Sequence, residues 1–306
     1  MPELPEVEVV RAGLAPAVVG AMISGVSVSD ERALTRHDGD GGAFERALTG
    51  RRIGAAARRG KFLWMPLDDE ATASEAIVGH LGMSGQMLLR ESGAGPERHE
   101  RVRLDIVHPI HGDLAVVFAD QRTFGSLAVD TLVPTDDGAP GGFGTALPRV
   151  PCQVAHIARD PLDPAFDERA FRASLAVKRS GIKRVLLDQT VVSGIGNIYA
   201  DEILWAARIH PDAPASALST RAAGRILAEA RAVLQKALAE GGTSFDAQYV
   251  NVNGQAGYFA HSLHAYGRTA QPCDRCAAPL VRVSFTNRSS HYCPRCQRLP
   301  RPRLSR

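Results

Sequence analysis

The chain opens Met1-Pro2-Glu3-Leu4-Pro5-Glu6, a proline and two carboxylates that can do covalent chemistry. If Met1 is removed, Pro2 presents a secondary amine with a pKa near the α-amino value of about 7.7 to 8.0, leaving about a third unprotonated at pH ~7.5. A lysine side chain, at about 10.4, is unprotonated to roughly one part in a thousand. Such an amine is a nucleophile for carbonyl-type chemistry, with Glu3 beside it as a proton carrier. Pro and Glu are also ordinary residues of a first helical turn. A second chemical signal is the pair Cys273-x-x-Cys276 and Cys293-x-x-Cys296, with 16 residues between the pairs. That spacing suits a four-thiolate zinc ribbon, whose closed shell leaves no position for water and makes the metal structural. The competing reading, two redox C-x-x-C motifs, fits the ribbon spacing less well. Val281, Val283 and Phe285 alternate along one arm of the ribbon hairpin and leave Arg288 near its tip, within reach of a phosphate. The third signal, Ser193-Gly194-Ile195-Gly196-Asn197-Ile198-Tyr199, is a glycine turn entering a helix. Tyr199 occupies the third glycine position of a dinucleotide fingerprint, so a Rossmann site is rejected, while free amides at a helix start suit a DNA phosphate.

The elements that must hold these residues follow from pattern. A length of 306 residues predicts two domains, and 44% apolar with 23% charged residues excludes collagen, coiled coil and wholesale disorder. Without a signal-peptide pattern or an apolar run of about 18 residues, the expectation is a cytoplasmic protein that does not span a membrane. Five cysteines in such a chain favour metal over disulfides, and the leftover Cys152 reads as a buried small hydrophobe. The net charge of +3 is unevenly placed: residues 268–306 hold nine Arg against one Asp, +8, leaving −5 for the rest. Concentrated basicity is the footprint of phosphate contact, although Arg301, Arg303 and Arg306 read as a solvated tail.

Val7, Val10, Leu14 and Val18 at helical spacing predict an opening helix over 5–20, with Pro16 ending or kinking its last turn. From 22 to 133 short alternating runs predict antiparallel β structure, with Val102, Leu104 and Ile106 facing Leu114 and Val116 across a turn at 109–113. Eight of the 18 residues from Pro134 to Pro151 are Gly or Pro, which predicts a linker. Helices are expected at 167–178, about 185–187, 198–207 and 219–240, and an uncharged Asn/Gln/Gly/Tyr stretch at 245–267, with Asp246 as its exception, reads as a loop. The expected domains are thus 1–133, a linker 134–151, a helical domain 152–267 and a ribbon with basic tail 268–306.

Taken in order, these motifs resemble the bacterial formamidopyrimidine-DNA glycosylase family, 8-oxoguanine DNA glycosylases and AP lyases of the helix-two-turn-helix superfamily. The resemblance spans nearly the whole chain: PELPEV at the start, RGK-F at Arg59 to Phe62, HLGMSG at His80 to Gly85, DQRTFG at Asp120 to Gly125, GIGNIYADE at Gly194 to Glu202, and the closing CPRCQ. It implies an α+β fold with an N-terminal β-sandwich carrying the opening helix, then a helix-two-turn-helix domain and a four-cysteine zinc ribbon, with DNA in the cleft between. It assigns Pro2 as the nucleophile at C1′ of the damaged nucleotide, Glu3 as proton donor and acceptor, Lys61 as a phosphate contact assisting β-elimination, and Arg288 as a phosphate grip aiding δ-elimination. Glu6 is read as mainly structural. Met83, Arg122 and Phe124 match residues that fill the duplex when the nucleotide flips out, with Arg122 facing the orphaned cytosine. Without the motif, Met83 and Phe124 would read as core. His99, Lys178 and Asn197 match backbone contacts, with Lys183 and His80 as further candidates. The metal is one structural Zn2+ at Cys273, Cys276, Cys293 and Cys296; the partner is damaged double-stranded DNA and the protein a nucleoid-associated monomer.

One departure concerns Asp246, where several relatives carry Lys or Arg in the loop capping the flipped base; a carboxylate cannot make the same donor contact. The nearest rival is an endonuclease VIII-type glycosylase for oxidised pyrimidines, whose members begin PEGP and lack the pair seen here as Arg122 and Phe124. A rival from another class is an inert lesion-binding protein, against which Pro2, Glu3 and Lys61 stand intact. A zinc hydrolase is excluded by the absence of H-E-x-x-H and the closed ligand set.

Overall fold

The computed structural model describes residues 2–69, 71–243, 252 and 259–299. Asp246, with 244–251 and 253–258 of the expected loop, and Arg301, Arg303 and Arg306 lie outside the described residues, whereas Val252 and 259–267 lie within them. The chain divides into two compact units, 1–156 with 240–258, and 157–239 with 259–306.

In the first unit the opening helix α1 (Leu4–Val18) is started by local chemistry: Glu3 and Glu6 form a capping box and Pro5 lies in the first turn. It continues two residues past Pro16. Val7, Val10, Leu14 and Val18 are fully buried, and Glu6 and Glu8 are buried too, so α1 is a core helix rather than a surface one. Around it two antiparallel sheets form. One has the order β1 (Met22–Val28), β6 (Glu100–His108), β7 (Gly112–Asp120), β5 (Gly85–Glu91). The other runs β2 (Ala57–Arg59), β3 (Phe62–Pro66), β4 (Glu75–His80), β8 (Ser126–Pro134), β9 (Arg149–Pro151). The β6–β7 hairpin pairs Leu104 with Val116 and Ile106 with Leu114, and its tip is the shorter 109–111. Ile23, Leu63, Ile77, Leu104, Val116 and Phe118 meet α1 in one apolar core that also takes in Val252.

Three features differ from the sequence reading. A helix, α2 (Gly41–Leu48), interrupts the β-rich half; its signal is Asp40, whose carboxylate caps the Ala43 N–H, with Phe44 and Leu48 four apart and buried. Residues 134–151 return to the sheet: Leu132, Val133 and Pro134 pair with Pro151, Val150 and Arg149. Within that loop Phe143 and Arg58 exchange backbone hydrogen bonds of 2.9 Å. A Cβ on Gly141 would lie 1.8 Å from the Arg149 carbonyl oxygen, and one on Gly142 2.3 Å from that of Arg58, so glycine is required by close approach. Cys152 is exposed rather than buried, at the start of a short 3-10 turn.

The second unit holds α3 (Glu168–Val177), α4 (Ile182–Leu186), α5 (Asn197–Ala207) and α6 (Thr220–Ala239), then the hairpin β10 (Val281–Phe285) and β11 (Arg288–Tyr292). α5 is buried from Asn197 to Trp205, whereas α6 buries one stripe, Ala223, Ile226, Leu227, Ala230 and Leu234 among it. α4 leads through the turns at 187–196 into α5. No helix among the described residues is long and apolar enough to cross a membrane.

Candidate functional site

The head of α1 is built around one carboxylate. Glu6 Oε2 accepts the Glu3 N–H at 2.8 Å, and Glu6 Oε1 accepts both the N–H and the hydroxyl of Thr243, at 2.7 and 2.9 Å. Pro2 and Glu3 are buried beside it, Glu3 with 2% of its surface accessible. The helix N-terminus favours the negative charge of both glutamates, and the capping box fixes the direction in which residue 2 leaves the helix. Behind this turn, Glu8 accepts from Arg58 Nε at 2.9 Å and pairs with Arg11 at 2.7 Å.

α1 packs on β2 and β3, whose two-residue turn, Gly60-Lys61, presents the lysine. Gly60 takes the left-handed conformation of that turn, φ +57°, so Lys61 does not have to. The adjoining arginines are no surface patch: Arg58 and Arg59 are 2% and 6% exposed, and Arg59 Nε donates to the Gly141 carbonyl at 2.7 Å. Phe62 is paired in register with His80 and the two rings lie 4.8 Å apart. Burial, then the charges of Arg36 and Lys61, push the His80 imidazole down to about 4. Its Nδ1 accepts the Gly82 N–H at 3.2 Å, so the neutral ring carries its proton on Nε2. Arg36, which sequence reasoning missed, sits with its guanidinium 5.4 Å from the Phe62 ring centre. Nothing local marks it; only the fold brings it beside His80.

Met83 and Phe124 are 43% and 63% exposed, and Arg122 is exposed between them in sequence order. Both are large apolar side chains left in solvent on neighbouring loops. Their loops are joined by the buried Asp120: Oδ1 accepts from Ser84 Oγ at 2.5 Å and from Arg122 N–H at 3.1 Å, while Oδ2 accepts from Gly125 N–H at 2.7 Å. The loops touch at Gly82, φ +61°, where a Cβ would come within 2.5 Å of the Phe124 backbone. His99 holds φ +60°, its carbonyl accepts the Asp120 N–H at 2.9 Å, and its Nε2 is buried without a hydrogen-bond partner among the described residues. With Ser84, Gln86 and Gln121 it lines a cavity of about 150 Å³.

In the second unit, Lys178 pairs with Asp188 at 2.8 Å. Lys183 has no exposed surface; its ammonium lies 2.6 Å from Asp201 and 3.0 Å from the Ser289 carbonyl. Asn197, at the head of α5, donates Nδ2–H to the same carbonyl at 3.1 Å, and its Oδ1 is buried without a partner among the described residues. Arg288 is exposed, next to Ser289, at the turn end of β11. The four ribbon cysteines converge, with all four sulfurs within 4.8 Å of one another and Cys276 Sγ 3.5 Å from Cys293 Sγ. Zn–S bonds of about 2.3 Å place tetrahedral sulfurs about 3.8 Å apart, so this set fits zinc. Trp205 Nε1–H donates to Cys273 Sγ at 3.4 Å and the Cys296 N–H to Cys293 Sγ at 3.4 Å, the outer hydrogen bonds expected of thiolate ligands. Burial opposes ionisation at Cys273, yet the Arg275 N–H and the Trp205 indole bring it down to about 7; burial pushes Cys296 up to about 12. The structure therefore brings together the four cysteines, the Met83/Arg122/Phe124 loops, and Lys183, Asn197 and the Arg288 hairpin, and keeps Lys178 in a separate ion pair.

Three family models match the chain: the formamidopyrimidine-DNA glycosylase N-terminal domain over 1–127, the formamidopyrimidine-DNA glycosylase H2TH domain over 157–248, and a zinc finger found in FPG and IleRS over 270–299. The formamidopyrimidine-DNA glycosylase of Leifsonia xyli is 67% identical over 299 residues, covering 98% of this chain and 100% of that protein. Among solved structures, a Lactococcus lactis Fpg variant in complex with Fapy-dG containing DNA has a TM-score of 0.80 at 31% identity, covering 97% of this chain and 100% of that one. The wild-type L. lactis protein in complex with an oxidised-pyrimidine containing DNA has a TM-score of 0.79 at 31% identity, with coverage of 97% and 100%.

Proposed function

The chain belongs to the formamidopyrimidine-DNA glycosylase family and is a base-excision-repair DNA glycosylase and AP lyase acting on damaged DNA; within it, we propose that the amine of Pro2, liberated when Met1 is removed, is the nucleophile. The observation that carries this reading is the buried first turn, in which Glu6 fixes the backbone next to Pro2 by accepting the Glu3 N–H. The amine forms a bond to C1′ of the damaged nucleotide as the C1′–base bond breaks, its electron pair leaving with the base. The nitrogen gives up its proton, and Glu3 delivers a proton to the ring oxygen O4′ as the C1′–O4′ bond breaks, which opens the sugar and leaves a C1′=N iminium on Pro2. That iminium acidifies C2′; loss of that proton expels the 3′-phosphate, and subsequent loss of the C4′ proton expels the 5′-phosphate. An amine of near-neutral pKa suits this work, because its unprotonated fraction is large at physiological pH.

Lys61, neutral His80 and Arg36 form the phosphate grip of the first unit, joined by His99; Lys178, Asn197 and Arg288 do the same from the second. Met83 and Phe124 wedge the duplex and Arg122 faces the base left behind, offsetting a flipping cost of a few kcal/mol. Zinc, when bound, ties four thiolates and holds the hairpin bearing Arg288. The lesions are oxidised purines, 8-oxoguanine and formamidopyrimidines, in chromosomal DNA, the nucleoid being the place of work. The L. lactis complex with an oxidised pyrimidine favours a second reading, in which pyrimidine lesions are taken as well.

Borohydride incubation with a duplex carrying 8-oxoguanine opposite cytosine tests this directly. A covalent adduct lost or sharply reduced in Pro2→Gly is expected. Adduct only on a thymine-glycol duplex would hand the substrate to the pyrimidine class, and binding without any adduct would leave a lesion-recognition protein.

A further inference from the structure

Arg288 is a long, exposed side chain on a two-stranded ribbon, and such a ribbon does not by itself hold a cation in one place. The metal site anchors the ribbon at its cysteine end; the turn that carries Arg288 is the other end. What holds that end is a buried charge pair. Lys183 and Asp201, 0% and 1% exposed, stand 2.6 Å apart on α4 and α5. Asp201 accepts from Ser290 Oγ at 3.1 Å, from the His291 N–H at 2.8 Å, and has His291 Nδ1 at 3.2 Å. Lys183 donates to the Ser289 carbonyl at 3.0 Å and its ammonium lies 4.8 Å above the Phe285 ring. Phe285 is the residue paired with Arg288 across the Thr286-Asn287 turn, and Ser289 is its chain neighbour. The pair thus grips both strands at the base of the turn, while Asn197 doubles the hold on the Ser289 carbonyl.

We propose that Lys183 and Asp201 are positioning residues for strand cleavage: they fix the backbone on either side of Arg288 and so set where its guanidinium meets the phosphate leaving in δ-elimination. This rests on the assignment of Arg288 above. Lys183, weighed from sequence as a phosphate contact, then acts without touching DNA. A buried pair tolerates loss of one partner badly, because the other charge is left uncompensated, and this makes the position sensitive to small changes.

The test uses full-length zinc-loaded protein and a duplex with a preformed abasic site, so that base excision does not enter. Lys183→Met keeps a stem over Phe285 and removes the ammonium; Lys183→Arg restores a cation. The δ-to-β product ratio should fall about tenfold or more in Lys183→Met, as expected for a misplaced catalytic group, and recover in part in Lys183→Arg. Borohydride trapping and zinc content should match the parent, a pattern that general unfolding would not give. Should Lys183→Met fail to fold, the same ratio in Asp201→Asn decides. Arg288→Ala is run alongside. A normal ratio in folded Lys183→Met beside a collapsed ratio in Arg288→Ala overturns the positioning role and leaves Arg288 standing; a normal ratio in Arg288→Ala overturns both.

Discussion

Asp120 shows how much can depend on one carboxylate. It joins the Met83 and Arg122–Phe124 loops by accepting three hydrogen bonds while almost wholly buried. Asp120→Ala should leave buried donors unsatisfied, costing about 1–3 kcal/mol of stability. Single-turnover excision of 8-oxoguanine should slow at least about tenfold because the residues proposed to wedge the duplex lose their common anchor, with cleavage of a preformed abasic site less affected. His80 gives a pH dependence. Its imidazole titrates at about 4 when folded against 6.5 ordinarily, so below about 6.5 the unfolded chain takes up a proton that the folded chain refuses. Its contribution is complete above that pH and is lost as the pH falls toward 4, by at most about 3 kcal/mol. The urea midpoint should therefore drop between pH 7 and 5, and drop less in His80→Gln. Both Asp120 and His80 lie within motifs that are legible in the sequence. The work of Asp120 is not legible, because Ser84 is 36 residues away in the chain; Arg36 is invisible for the same reason.

At the level of elements, spacing along the chain carried the zinc ribbon and the β6–β7 hairpin, since each is formed by neighbours in sequence. It did not carry the fate of 134–151. A glycine-rich stretch reads as a linker when the reason for its glycines, backbone passing against Arg58 and Arg149, lies elsewhere in the chain. Gly141→Ala should accordingly cost about 1–3 kcal/mol through overpacking and, by disturbing Arg59 beside the turn that carries Lys61, slow abasic-site cleavage if Lys61 has the phosphate role proposed for it. Thermal melting with abasic-site cleavage checks this. The ribbon has its own optical reporter. Trp205 donates to Cys273, lies 3.7 Å beneath the Arg275 guanidinium and stacks on His264 with centroids 4.4 Å apart. In Trp64→Phe, which leaves Trp205 as the single tryptophan, chelation should change the emission in step with loss of zinc and of δ-elimination.

For the molecule as a whole, +8 in residues 268–306 against −5 elsewhere predicts binding that is electrostatic and carried by few positions. Affinity for lesion duplex should fall steeply with salt, and Arg288→Ala and Arg36→Ala should each lower the log–log slope by about 1; an affinity flat between low and physiological ionic strength would remove the phosphate assignments. The first unit is also discontinuous. Glu6 waits for Thr243, and Val252 fills the core beside Gly13, where a Cβ would approach its methyl to 2.5 Å. During synthesis the helix that follows the proposed nucleophile is made first, yet its cap and one side of its core come from the far end of the message. Each newly made molecule can settle its reactive turn only after the residues of the intervening helices have left the ribosome, so a chain stalled before residue 243 carries Pro2 without the scaffold that would let it open DNA.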